Sequence, residues 1–212
     1  MNESALSCAN CAVINCDTQD KSYPPFCLTT HLDPALRAQA IACYAEDDNR
    51  RIMQTAARVE YDGYLKWTRV QETMTFARRM GYQKIGIATC VGLIRETRTL
   101  AQLLREQGFS VYGAACKVGA VPKTELGIDP DCAQIGCNSC NPILQAKLLN
   151  REKTDLNIIM GLCVGHDILF TKYSDAPVTT LVTKDRVLGH NPAAALYTAD
   201  SYYAKLRNPI EE

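Results

Sequence analysis

The sequence has no surplus charge of either sign and no long apolar run. Its 212 residues hold 23 Lys and Arg against 23 Asp and Glu, a formal net charge of zero. Zero net charge argues against a general nucleic-acid binder or membrane-surface binder, because such proteins carry a basic surplus. The longest clear apolar run, residues 158–165, is far shorter than the roughly 18 residues of a membrane-spanning helix.

A secretory leader and a glycine-rich phosphate loop are also missing. The amino-terminal residues are polar, with neither a basic stretch nor an apolar one, so we expect no secretory signal and a cytoplasmic location. Neither G-x-G-x-x-G nor G-x4-G-K-[ST] occurs. The expected partner is therefore a small molecule or a metal, not a nucleic acid or a membrane, and the oligomeric state stays open.

Cysteine is the residue that stands out. Eleven cysteines are about 5% of the chain, below the roughly 8–10% of disulfide scaffolds. An odd number of cysteines without a secretory signal favours reduced thiols that bind metal or react. An isolated cysteine can equally be a small buried apolar residue, so clusters of cysteines carry the argument.

One cluster lies in residues 1–30, which we expect to form a separate metal-binding segment. It contains Cys8, Cys11, Cys16 and Cys27 and too few apolar residues to build a core. Four thiolates within this span match a tetrahedral zinc site or an iron–sulfur cluster, although the spacing is not that of a bacterial or plant-type ferredoxin. We predict a closed structural site, with zinc as the first choice and an iron–sulfur cluster as the second.

The remaining residues, 31–212, are predicted to form an α/β domain. Helical patterns cover residues 33–80, where Asp33 and Pro34 form a typical helix start and Gly81 a typical helix end. Strand patterns follow at residues 84–89, 109–115, 156–162 and 177–183, with helices between them. This alternation predicts a mostly parallel sheet flanked by helices, a Rossmann-like three-layer fold whose strand carboxyl ends lie at one edge.

Three predicted strands end in a similar phrase. Cys90, Cys116 and Cys163 each follow a strand and precede a glycine that permits a tight turn. Open α/β sheets bind ligands outside the carboxyl ends of their strands, so we expect the three thiols to converge there. The alternative is that they are ordinary core cysteines.

Two further phrases place a ligand residue just before a helix. Cys140 and His190 each precede an Asn-Pro pair that is typical of a helix start, and a thiol in that place has a lowered pKa. His166 follows Cys163 in a C-x2-H pair. Ordinary capping, or a histidine bonded to a turn, would explain the same residues without metal. The predicted ligands of a second metal site are Cys90, Cys116, Cys140, Cys163, His166 and His190.

Other polar residues give weaker signals. Cys137 and Cys140 form a C-x2-C pair that resembles half a zinc knuckle or a redox pair, but Pro142 delays the helix that a thioredoxin motif requires. The roles of Cys43, Cys132 and Cys137 stay open. The run Lys184-Asp185-Arg186 follows the fourth strand, and we expect it to be a solvated group of charges.

Three stretches resemble one family. Residues 85–96 (IGIATCVGLIRE), 159–167 (IMGLCVGHD) and 176–191 (APVTTLVTKDRVLGHN) look like the uncharacterised cysteine-rich metal-binding protein family of anaerobic bacteria and archaea, a domain of unknown function. The resemblance implies metal binding, without an established reaction, and the six residues of the second predicted site match the family's motifs.

Three functions remain open at this stage. The protein could be a metalloprotein or metalloenzyme with redox or small-molecule chemistry at the sheet edge. It could be a metal carrier or sensor without turnover. It could also be a thiol–disulfide redox protein.

Overall fold

A computed structural model describes residues 6–209 of the chain. The chain divides into two compact units, Met1–Arg58 and Val59–Glu212. Among the described residues, no helix is both long enough and apolar enough to cross a membrane.

The first unit contains helix α1, Pro34–Cys43, and the beginning of helix α2, Asp47–Gly63. Asp33 caps α1, because its carboxylate accepts a hydrogen bond of 2.8 Å from the backbone N–H of Ala35. Pro34 occupies the first helical position as predicted. The cysteine-rich stretch before α1 has one short helical turn, Cys8–Asn10, and no strand within the described residues.

The second unit is an α/β domain built on four parallel strands in the order β2-β1-β3-β4. Its strands are β1 Lys84–Thr89, β2 Ser110–Ala115, β3 Leu156–Met160 and β4 Val178–Val182. Its other helices are α3 Arg69–Arg79, α4 Ile94–Glu106, α5 Pro142–Arg151, α6 His166–Tyr173 and α7 Ala193–Tyr197. All three strand pairings are parallel, which confirms the predicted fold class.

The sheet lies between two apolar layers. On one face Ile85 and Ile87 of β1 pack with Ala77 of α3 and Leu104 of α4. On the other face Ala88 packs with residues of α5 and α6 such as Ala146 and Phe170. The alternation of side chains along each strand sends neighbouring residues to opposite layers. This is the three-layer arrangement expected from the sequence.

The strand order places a crevice between β1 and β3. From β1 the chain crosses to β2 on one side, and it then returns past β1 to form β3 on the other side. Connections that leave neighbouring strands in opposite directions open a crevice at their carboxyl ends, where α/β proteins of this strand order bind ligands. Residues just after β1 and β3 therefore stand at the expected binding place.

A buried polar network fixes the middle of the sheet. The Asn157 amide accepts a hydrogen bond of 2.7 Å from Thr154 Oγ1 and donates one of 2.8 Å to Ser174 Oγ. Asn157 is fully buried, so these bonds offset the cost of removing its amide from water. Gly86 on β1 leaves the space that Asn157 Oδ1 fills.

Replacing Gly86 by alanine should destabilise the second unit by about 3 kcal/mol. The added methyl group would collide with Asn157 Oδ1 and contact Leu149 at 2.9 Å. Urea unfolding monitored through Trp67, the chain's single tryptophan, measures the loss. Gly113→Ala on β2 is the matched control, because its new Cβ would meet nothing closer than the Ile87 carbonyl oxygen at 3.8 Å. Equal stabilities of the two variants would contradict the packing argument.

Candidate functional site

Two thiols lie at the carboxyl ends of adjacent strands. Cys90 directly follows β1 and Cys116 directly follows β2, and their exposed fractions are 7% and 3%. The backbone N–H of Val91 donates to Cys116 Sγ over 3.4 Å. The turn that ends β1 therefore reaches the sulfur at the end of β2.

A long loop returns the chain to the same place. Residues 117–139 contain two short helical turns, Lys123–Leu126 and Pro130–Ile135, and a bridge that joins Pro122 to Asn138. Directly after this loop, the N–H of Asn141 donates to the Cys116 carbonyl over 2.7 Å. This bond places Cys140, the residue before Asn141, beside Cys116.

Cys116 and Cys140 shift each other's pKa in opposite directions. The interaction with Cys140, together with burial, raises the pKa of the Cys116 thiol. The same interaction, together with Lys117 and His166, lowers the pKa of Cys140 to about 5. Cys140 also stands just before Asn141, the N-cap of α5, where the helix dipole favours a thiolate. Cys140 is half-buried and therefore reachable from solvent.

The third strand-end thiol has a cationic partner. Cys163 is half-buried, and its carbonyl accepts the N–H of His166 over 2.9 Å in the first turn of α6. Arg186 Nη2 lies 3.2 Å from Cys163 Sγ, and this bond raises the pKa of the guanidinium. Cys90 and Cys140 act on Arg186 in the same direction at longer range. Arg186 is exposed, as expected for a solvated run of charges, and it also contacts a thiol.

His190 has a different set of contacts. Its ring Nδ1 accepts the backbone N–H of Asp185 over 3.1 Å, and the backbone N–H of His190 donates to the Asp185 carbonyl over 2.8 Å. A neutral ring that accepts at Nδ1 carries its proton on Nε2. While this hydrogen bond persists, neither ring nitrogen of His190 offers a lone pair to a metal. His166, in contrast, is close enough to Cys140 to stabilise its thiolate.

The amino-terminal cysteines line one cavity. Cys8, Cys11, Cys16 and Cys27 all contribute to its wall, and its volume is about 380 Å³. Cys27 is the buried member. Hydrogen bonds from the side chains and backbone N–H groups of Thr30 and Thr29 lower its pKa. The four thiols therefore line one cavity, and the metal that they are predicted to share stays a prediction.

The donor chemistry of both groups suits a thiophilic metal, but the side chains do not converge tightly. Within residues 6–209, no three His, Cys, Asp or Glu side chains lie in positions that could hold one ion. Metal ligation stays a prediction for the ten residues proposed from the sequence: Cys8, Cys11, Cys16, Cys27, Cys90, Cys116, Cys140, Cys163, His166 and His190.

Comparison with known proteins gives the family. The family described as "Protein of unknown function (DUF1847)" matches residues 27–181, which include the whole parallel sheet up to the last residue but one of β4. The chain belongs to the DUF1847 family. The resemblance inferred from the sequence motifs is thereby confirmed.

One relative with a similar sequence is also uncharacterized. An uncharacterized protein of Methanocaldococcus jannaschii is 47% identical over 162 residues, which are 76% of this chain and 82% of the relative. The DUF1847 match contains Cys27 and the four sheet-edge cysteines, whereas Cys8, Cys11, Cys16 and His190 lie outside its bounds. Membership in DUF1847 assigns no reaction.

Sequence reasoning missed Lys117 and took Lys184 as part of a solvated run of charges. Lys117 directly follows Cys116, and its Nζ donates to the Asn138 carbonyl over 2.6 Å. A Cβ added to Gly92 would lie 3.5 Å from Lys184 Nζ and 3.8 Å from Cys90 Sγ, so this lysine and this thiol flank the same glycine. The adjacency of Lys117 to Cys116 was the one available signal.

Gln145 was also missed, and it holds two strand ends together. Its Nε2 donates to the carbonyls of Thr89 and Ala114 over 3.1 and 2.7 Å. Its Oε1 is buried and has no hydrogen-bond partner among the described residues. A glutamine in the middle of α5 gives no sequence signal of this role, because its two partners come from strands far away in the chain.

Proposed function

We propose that this protein is a thiol–disulfide redox protein whose working pair is Cys140 and Cys116. The observation that carries the proposal is the placement of a reachable thiol, Cys140, against a buried thiol, Cys116, at the carboxyl edge of the sheet. Thiol–disulfide enzymes need one accessible nucleophilic sulfur and a second sulfur within bonding reach to resolve the first product.

The roles follow from the environments of the two sulfurs. Cys140 is the nucleophile, because the thiolate is the reactive form and the pKa of Cys140 is lowered by Cys116, Lys117 and His166. Cys116 is the resolving thiol, because it is nearly inaccessible and its pKa is raised by Cys140 and by burial. A buried resolving thiol does not compete for the first attack on a substrate.

The reaction reduces a substrate disulfide with two electrons that come from Cys116 and Cys140. The Cys140 thiolate attacks one sulfur of the substrate, forms a mixed disulfide and releases the first substrate thiolate. Cys116 then loses its proton to that thiolate and attacks Cys140 Sγ, which expels the second substrate thiolate. The substrate is reduced to two thiols while the protein forms the Cys116–Cys140 disulfide. A cellular dithiol would reduce it again.

Treatment of the fully reduced protein with hydroxyethyl disulfide should yield one dominant intramolecular bond, Cys116–Cys140. Peptide mapping by mass spectrometry under non-reducing conditions identifies it. Cys116→Ser should stop the reaction after the first step, so that a mixed disulfide accumulates on Cys140. Cys43→Ser, which changes an exposed cysteine of α1, is the matched control and should behave as the wild type.

Two results would refute the proposed thiol–disulfide function. One is a dominant bond between other cysteines, such as Cys137 and Cys140. The other is a Cys116→Ser variant that releases both substrate thiols as fast as the wild type.

A second function is favoured by the amino-terminal cavity. We propose that Cys8, Cys11, Cys16 and Cys27 hold a metal there, zinc as the first candidate and an iron–sulfur cluster as the second. The support is a single cavity walled by four thiols, one of them buried, in a stretch that has few other means of folding. Metal bound in this way would stabilise the segment.

A further inference from the structure

Three cations surround the sulfurs of the sheet edge. Arg186 contacts Cys163 and lies within electrostatic reach of Cys90 and Cys140. Lys117 acts on Cys140, and Lys184 flanks the Cys90 turn. In the part of the chain that the structure describes, none of the three forms an ion pair with a carboxylate. Their charges are therefore available to something that approaches the crevice.

The two acidic residues of the same edge are turned toward their own backbones. One carboxylate oxygen of Asp185 accepts the N–H groups of Val187 and Leu188 over 2.9 and 2.8 Å. Asp167 accepts the N–H of Ile168 over 2.8 Å at the start of α6. These bonds engage both carboxylates within their own turns, whereas Arg186 contacts a thiol directly.

A thiolate nucleophile by itself repels an anionic substrate and attracts a cationic one. Nearby cations favour an anionic substrate instead, because they raise the local concentration of anions near the sulfur. Arginine adds a planar fork of donors that matches a carboxylate. Arg186 is placed to act in this way, since it reaches the sulfurs from the loop after β4.

We infer that the crevice selects small disulfides that carry carboxylates, with Arg186 and Lys117 as the residues that bind those carboxylates. This inference rests on the proposed thiol–disulfide function and names the class of its substrate. The plain alternative is that the cations only neutralise the thiolates, in which case the charge of the substrate would not matter.

Three symmetric alkyl disulfides of similar size test the charge preference: dithiodiglycolate, which is anionic, hydroxyethyl disulfide, which is neutral, and cystamine, which is cationic. The rate of oxidation of the reduced protein by each is divided by the rate of the same disulfide with mercaptoethanol. We expect the normalised rate to be about 10-fold or more higher for dithiodiglycolate than for cystamine at low ionic strength. Added salt should shrink the difference.

The anionic-to-neutral ratio isolates the binding of carboxylates from the reactivity of the sulfur. Any change in the nucleophile affects both probes and cancels in the ratio. Arg186→Gln and Lys117→Gln should each lower the ratio severalfold. Arg37→Gln, which removes an exposed arginine of α1 in the first unit, should leave it unchanged.

The possible failures are distinct. If none of the three probes oxidises the protein, the proposed thiol–disulfide function itself is refuted. If all three react at equal normalised rates, or if Arg186→Gln keeps the wild-type ratio, the charge selection is refuted while the redox pair stands.

Discussion

Replacing Cys140 by serine should reduce the rate of reaction with disulfides by roughly 1,000-fold or more, because a hydroxyl group at neutral pH cannot replace a thiolate nucleophile. Two other sulfurs of the edge, those of Cys90 and Cys116, are poorly placed to substitute for it, because both are buried. Stopped-flow measurement of thiol release from hydroxyethyl disulfide gives the rate.

The wild-type rate should also show a pH dependence that identifies Cys140. Its pKa is lowered to about 5 by Cys116, Lys117 and His166, so we expect the thiolate to be formed at neutral pH and to be lost as the pH falls through about 5. An unperturbed cysteine, with a pKa of about 8.5, would instead lose its reactivity between pH 9 and pH 8. A rate that halves near pH 8.5, or a Cys140→Ser variant with near wild-type rate, would refute the assignment.

The fold was predictable because its signals are local. The pair Asn141 and Pro142 predicted the start of α5, and the structure shows the Asn141 amide oxygen accepting the N–H of Leu144 over 3.0 Å. Gly81 was predicted to end a helix, and its φ of +74° is the conformation that glycine adopts most easily. Each of these features depends on residues within one turn, which a sequence pattern contains.

The arrangement of the site was less predictable because its contacts join distant residues. The placement of Cys90, Cys116 and Cys163 after strands followed from the repeated phrase and from parallel topology. The pairing of Cys116 with Cys140 depends on the path of a 23-residue loop, 117–139, whose turns lack a periodic pattern. The bond from Arg186 to Cys163 spans 23 positions of the chain, and nothing in a run of charges shows which of them faces a sulfur.

The second large effect is expected from a substitution in the amino-terminal segment. Cys27→Ser should abolish the metal binding that we propose for this segment, from about one ion or cluster per chain to none. Cys27 is the buried thiol of the four, and Thr29 and Thr30 already hydrogen-bond its sulfur. Metal binding in small thiolate modules is worth about 10–16 kcal/mol and is coupled to their folding, so the loss of one ligand in four should be severe.

Metal analysis of anaerobically purified protein measures the content, and the visible spectrum identifies the metal, because an iron–sulfur cluster absorbs visible light and zinc does not. Cys43→Ser is the matched control, since Cys43 lies in the same unit but is exposed on α1. Fluorescence of Trp67, which belongs to the second unit, should be the same in all variants and shows that the α/β domain is intact. Wild-type protein without metal after reconstitution with zinc or with iron and sulfide, or a Cys27→Ser variant with full metal content, would refute the amino-terminal site.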